Sequence, residues 1–287
     1  MTTAQTKSAR VRRARAVEAI AKFVMGACLW FAILATFVII GLIAWRGAPA
    51  INANFIFGRP VRGGIWPAIY GTILLTSGTA LFALPLGVGA GIYLSEYAKR
   101  GIGTRIVRLS ISNMAGVPSI VYGLFGLSLF VMALKFGSSV LAGSLTLATM
   151  TLPVIIAATE EALRQVPQDL RQASLALGET KLRTIARVVL PAAAPGIVTG
   201  SILGISRAAG ETAPIILTAA AFLAAVPKNP FQPTMALPYH LYISATQALH
   251  PDPNIIWGTA LVLVAGVPTA GVLAAAWRSR QRSKIRW

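Results

Sequence analysis

From Phe23 to Trp45 the chain runs 23 residues without a charged side chain. That is long enough to cross the ~30 Å hydrocarbon core of a bilayer as one helix. In lipid every backbone N–H and C=O needs an internal partner, so a helix is the form such a run must take. A cleaved signal peptide also has a basic start, but its apolar core is only about 7–15 residues long. The first span is placed at roughly 19–45. Further apolar runs predict spans near 66–95, 106–134, 138–159, 189–223 and 255–277. The expected fold is all-α: a polytopic membrane protein with six transmembrane helices. Composition agrees, since only 12% of the 287 residues are charged and 55% are hydrophobic. A soluble domain carries about 25% charged residues. A soluble enzyme and a disordered basic protein are both excluded.

The net charge of +18 is unevenly placed. Lys7, Arg10, Arg12, Arg13, Arg15 and Lys22 precede the first span. Lys99, Arg100, Arg105 and Arg108 lie around the second loop. Arg164, Arg171, Lys181, Arg183 and Arg187 lie in the fourth, and Arg278, Arg280, Arg282, Lys284 and Arg286 in the tail. The other side holds Arg46, Arg59, Arg62, Lys135 and Lys228. Cytoplasmic loops carry the excess of Lys and Arg, so both termini are expected in the cytoplasm. Residues 1–18 and 278–287 then form basic cytoplasmic segments beside anionic lipid, flanking a transmembrane domain over 19–277.

One basic residue belongs to neither side. Arg207 falls inside the fifth span, with Glu211 four residues later in Ser206-Arg207-Ala208-Ala209-Gly210-Glu211-Thr212. An Arg at mid-membrane costs about 2.5–3.5 kcal/mol on insertion scales, so it implies a polar cavity or a partner. Its forked guanidinium matches two oxygens of an oxyanion and stays charged at any working pH. Glu211, one turn on, is placed to neutralise Arg207 in an empty pathway or to accept a hydrogen bond from a protonated phosphate oxygen. Arg207, Glu211 and Thr212 are the candidate substrate-pathway residues; a pair that only holds helices together is the alternative. No catalytic or metal site is expected. Cys28 is the only cysteine, and His240 and His250 are isolated and read as loop residues near the outer surface.

About 30 residues separate the fourth and fifth spans. Helix formers run from Gln168 to Leu177, with apolar Leu170, Ala173, Leu175 and Leu177; Thr180 is placed to cap a second short helix. Gly178 between them suits a turn of positive φ or close backbone approach. Two amphipathic helices here fit docking into a groove of a soluble partner, or the lipid interface. Elsewhere, Gly196, Gly200 and Gly204 form a small-residue stripe for close helix packing, within the chain or against a second permease. Pro118 is expected to kink the third span. Thr72, Thr76 and Ser77 either line a polar path or bond their own backbone.

Gln172-Ala173-Ser174, Gly178, Val188, Leu190 and Pro191 resemble the "EAA" signature of bacterial ABC-importer membrane subunits. The spacing holds, while Gln172 stands for the Glu, Ser174 for an Ala and Val188 for the Ile. Pro85-Leu86-Gly87-Val88, Ile92-Tyr93-Leu94-Ser95-Glu96-Tyr97 and Ala115-Gly116-Val117-Pro118-Ser119-Ile120-Val121-Tyr122-Gly123-Leu124-Phe125-Gly126 resemble phosphate-importer permeases. Arg207 to Pro214 is similar to the A-type family among these (PstA).

The resemblance implies a type I importer permease (MetI-like) fold with a core of about 65–275 and a coupling loop of about 160–188. It implies a non-catalytic subunit of a phosphate importer in the bacterial cell membrane. Gln172, Ala173, Ser174, Gly178, Leu190 and Pro191 would belong to the ATPase-docking loop. The partners implied are a homologous permease (PstC-like), two ATP-binding subunits (PstB-like) and an extracytoplasmic phosphate-binding protein (PstS-like). No cofactor is expected on this chain, ATP being bound by the partner; accordingly the sequence has no G-x-x-x-x-G-K-[ST] loop. The alternatives are a permease for another oxyanion or small solute, such as molybdate, sulfate or an amino acid, and a stand-alone secondary transporter. The latter would need further intramembrane charges for ion coupling.

Overall fold

The computed structural model describes residues 2–60, 63–99, 101–247 and 251–282. Side chains of residues 1–14 and 272–287, with Arg62, Arg100 and His250, lie outside the described residues. Expectations for much of the basic N-terminal segment and for the basic tail therefore fall outside it.

Helical segments make up most of the described residues. In order they are α1 (Thr2–Gly47), a 3-10 turn (Ala48–Ala50), α2 (Ala53–Phe57), α3 (Trp66–Ile92), α4 (Ile102–Ala115), α5 (Ser119–Gly126) and α6 (Val140–Arg164). Then come α7 (Gln168–Ala176), α8 (Lys181–Thr184), α9 (Leu190–Ala209), α10 (Ala213–Thr218), α11 (Leu237–Thr246) and α12 (Pro253–Arg282). One-turn π-helices extend α3 over Tyr93–Tyr97 and α5 over Leu127–Ala133. A third, Ile185–Val189, joins α8 to α9. The β-bridge among the described residues is isolated and joins Ala220 to Thr234.

Four helical stretches are long and apolar enough to cross a membrane: Val17–Ala50, Trp66–Tyr97, Val140–Arg164 and Lys181–Ala209. The expected third span is different. Its helices are bent by 103° between Ala115 and Ser119. Pro118 has no N–H to donate into the preceding turn, and Gly116 caps α4. The break is stitched by Tyr122, whose hydroxyl donates to Met114 O at 2.8 Å. Counted as one, the bent pair is a fifth crossing, while the apolar part of α12, Pro253–Val267, is shorter than the others. The expected fifth span, 189–223, also differs. Its helix stops at Gly210, and α10 resumes after Glu211 and Thr212.

α6 is the hub. Apolar burial does not drive helices together in lipid, so close approach and dispersion must do it. A Cβ at Gly87 would sit 2.7 Å from Ile155 Cγ2, and one at Gly91 2.6 Å from Thr159 Cβ. The α3 backbone therefore lies directly on α6. The stripe on α9 works the same way: a Cβ at Gly196 would reach within 2.7 Å of Ala162 Cβ, and one at Gly200 would collide with Ala158 Cβ. The stripe thus packs inside this chain, not against a second permease. Ala162, Leu163, Val166, Val189, Ala193 and Ile197 bury the joint at one end of α6 and α9. Core hydroxyls turn back on their own helices: Thr79 donates to Leu75 O at 2.8 Å and Thr151 to Leu147 O at 2.6 Å.

α1 stands apart. It packs on α12, where Arg46 lies 5.0 Å over the Trp257 ring. Its apolar side chains from Phe23 to Phe37, including Trp30 and Phe31, are exposed. His240 contradicts its expected loop placement. It is buried in α11, stacked on Phe222 at 6.2 Å. The Pro-rich stretch before it masks a ten-residue helix whose first turn, with Pro238, suits a helix start.

Candidate functional site

Two interrupted helices meet in the interior. α5, which follows the break at Gly116–Pro118, packs against α10, which follows the break at Gly210–Thr212. A Cβ at Gly123 would lie 3.0 Å from Pro214 Cα. Non-helical backbone at membrane depth is tolerated only where protein covers it or where it lines a water-filled cavity. Two interrupted helices packed on each other therefore imply protein cover or a cavity here.

Arg207 sits in the last turn of α9 at this junction. Gly204, one turn earlier, lies over Thr151, Val154 and Ile155, near the middle of α6. Ser206 faces Gly271, well inside α12. This turn of α9 therefore lies alongside the middle of α6. Its Nε lies 3.6 Å from Glu211 Oε1. The two side chains differ sharply: Arg207 is 59% exposed and Glu211 17%. Leu203 and Gly210, on the same face of α9, are exposed as well. Thr212 is half-buried and caps α10 without a side-chain hydrogen bond. The structure thus brings Arg207, Glu211 and Thr212 together at one helix break and turns the cation outward from the chain.

Thr72, Thr76 and Ser77 line a different space, a cavity of about 510 Å³ between α3, α9, α11 and α12 that also takes Ser206. Arg207 is not in its wall. The Thr72 and Thr76 hydroxyls donate to Ala68 O and Thr72 O, and Thr72 Oγ1 also accepts from Leu237 N at 2.8 Å. Thr72 and Thr76 thus bond their own backbone, as one of the two expectations had it, while all three residues also face this cavity.

At the other end, α7 and α8 form the expected pair of short helices. Gly178 between them has φ +84°, a conformation L side chains rarely adopt, and Thr180 caps α8. The docking-loop residues separate into two groups. Gln172, Ala173 and Gly178 are exposed, while Ser174 is buried, its Oγ 2.9 Å from Thr184 Oγ1. Leu190 packs against the α6–α9 joint and Pro191 starts α9. Beside the exposed group stand Leu170, Leu175, Leu177 and Leu182, with Leu177 86% exposed. The sequence named Leu170, Leu175 and Leu177 as apolar residues of the first helix, and the structure shows each of them exposed.

Residues 83–283 match the family described as binding-protein-dependent transport system inner membrane component. The chain belongs to that family. Membership implies an ATP-hydrolysing partner and a binding protein outside the membrane. One relative is the "Phosphate transport system permease protein PstA 1" of Mycobacterium tuberculosis (strain CDC 1551 / Oshkosh). It is 42% identical over 214 residues, covering 74% of this chain and 70% of the relative. Another is the "Probable phosphate transport system permease protein PstA" of Methanocaldococcus jannaschii, 37% identical over 245 residues, covering 84% of this chain and 86% of the relative. Among solved structures, a chain of the MetNI methionine ABC transporter in an inward-facing form superposes with a TM-score of 0.60. It is 19% identical and covers 82% of this chain and 100% of that one. The type I importer permease fold expected from the sequence is therefore the fold of this family member.

Proposed function

We propose that this chain is the transmembrane permease subunit of an ATP-driven importer of inorganic phosphate, crossing the membrane six times with both termini in the cytoplasm. It forms half of the translocation pathway, pairs with a homologous PstC-like permease, and is itself non-catalytic. Two PstB-like subunits hydrolyse ATP against the loops at residues 160–188, and a PstS-like protein delivers phosphate from outside.

The observation that supports this reading is the exposed Arg207 in the last turn of α9. A guanidinium there is too costly to leave against acyl chains. The face it occupies, with Leu203 and Gly210, is best covered by a second permease across a polar conduit. A bare Arg in such a conduit takes two phosphate oxygens in a forked pair. Glu211, held nearby and more buried, balances the cation when no anion is present and accepts from a protonated phosphate oxygen. Fully ionised sulfate offers no such proton. The names of the relatives support phosphate over other oxyanions.

The exposed leucines around Gln172 and Ala173 form the face that enters the ATP-binding subunit. From Lys181 to Ala209 the chain is helical without interruption, so a push on α8 reaches the Arg207 turn through one rod. The test is co-purification from membranes followed by ATPase assay in proteoliposomes with the binding protein. The expected result is stimulation by phosphate and not by molybdate or sulfate. Stimulation by another oxyanion alone would overturn the substrate, and transport by this chain alone would overturn the assembly.

A further inference from the structure

The segment Tyr93-Leu94-Ser95-Glu96-Tyr97 is a π-turn at the cytoplasmic end of α3, and the docking loop is bound to it. Arg171 and Glu96 lie 75 residues apart in sequence, yet Arg171 Nη2 donates to Glu96 Oε1 at 2.9 Å. Both side chains are largely buried, at 13% and 9% exposure. The same guanidinium donates to Leu163 O at 2.7 Å and to Val166 O, carbonyls at the end of α6. Lys181, at the start of α8, donates to Glu96 O and lies 4.7 Å over the Tyr97 ring. Arg108 of α4 donates to Leu94 O at 2.9 Å and pairs with Glu160 of α6 at 2.8 Å.

One carboxylate and one guanidinium therefore tie three bodies together: the end of α3, the end of α6 and the α7–α8 loop. Leu94 O and Glu96 O lie in the last turn, where carbonyls have no intrahelical partner, so Arg108 and Lys181 can take them. Exposed ion pairs contribute little, but a desolvated, multiply bonded Arg fixes geometry.

We propose that Arg171 and Glu96 are positioning residues forming a strut that passes movement of the docking loop to α3 as well as to α9. This rests on reading α7–α8 as the docking element. Through the chain itself the loop pulls on α6 and α9, the helices on either side of it. The strut adds α3 to that movement.

The test uses the complete reconstituted complex and reads phosphate imported per ATP hydrolysed. Glu96→Ala and Arg171→Ala should retain the ATP-binding subunits and basal ATPase activity while lowering that ratio about tenfold, within the usual range of coupling energies. The double variant should be no worse than either single one, because both act on one joint. Removing one partner leaves an uncompensated charge, so the alanine variants can fail to assemble. Glu96→Gln and Arg171→Lys then carry the test. Each keeps one hydrogen bond across the joint and should give an intermediate ratio. A wild-type ratio in the alanine variants overturns the proposal, as does a multiplicative loss in the double variant. So does failure of the conservative variants to assemble, or a wild-type ratio in them. A wild-type complex stimulated by a different anion would count against the substrate only; the same ratio is then read with that anion.

Discussion

Arg207 and Glu211 sit one turn apart across the end of α9, Nε to Oε1 3.6 Å, with the cation turned out of the chain and the carboxylate tucked in. The spacing is longer than a tight ion pair, and the exposures are unequal. Such a pair leaves the guanidinium available while its charge stays balanced.

Glu211→Ala removes the acceptor for a protonated phosphate oxygen and leaves Arg207 without a counter-charge. The preference for phosphate over sulfate should fall about tenfold, the worth of one hydrogen bond of ~1.4 kcal/mol. Competition of sulfate with labelled phosphate uptake measures it. An unchanged preference would remove Glu211 from selectivity.

Gly200→Val should push α9 off α6, because even a Cβ there collides with Ala158. Overpacking of this kind costs about 1–3 kcal/mol. The melting temperature of the detergent-solubilised complex should drop by several degrees. Gly89→Ala is the control, since nothing lies within 4 Å of its Cβ position and its melting temperature should hold.

Leu177→Asp alters the most exposed leucine of the loop without touching its internal bonds. Interface anchors are worth about 2 kcal/mol or more, roughly 30-fold in affinity. The ATP-binding subunits should be lost on purification while the paired permease stays. Full retention would move the docking surface elsewhere.

Tyr122→Phe deletes the hydroxyl that donates to Met114 O across the bent third span. Met114 O keeps the Val117 N–H at 3.1 Å, so the loss is that of one hydrogen bond, about 0.5–1.5 kcal/mol. Thermal stability should fall by that order, and protease should cut more readily near Gly116. Unaltered stability and cleavage would mean that the bend is held by packing alone.

Much of this was legible from residue order. The spans at 66–95 and 138–159 appear as α3 with its π-turn and as α6, because apolar length decides them. The loop turn at Gly178 and the cap at Thr180 follow from local chemistry. Pro118 marked a kink in the third span, but its size of 103° was not legible, because it depends on how α5 packs on α10. The helix stop at Gly210–Thr212 was not legible at all within the span expected over 189–223. The side chain of Ser174 could not be assigned inward without Thr184, and the Glu96–Arg171 joint spans 75 residues. His240 was misplaced because a short helix in a Pro-rich stretch has too few residues to show a period.

The most direct measurement is phosphate uptake by proteoliposomes containing the complex with Arg207→Ala, set beside Arg207→Lys and wild type. The complex should assemble with all its subunits in each case. Uptake should be lost in Arg207→Ala and partly kept in Arg207→Lys, which supplies charge without the fork. Uptake at the wild-type rate by an assembled Arg207→Ala complex would contradict the account.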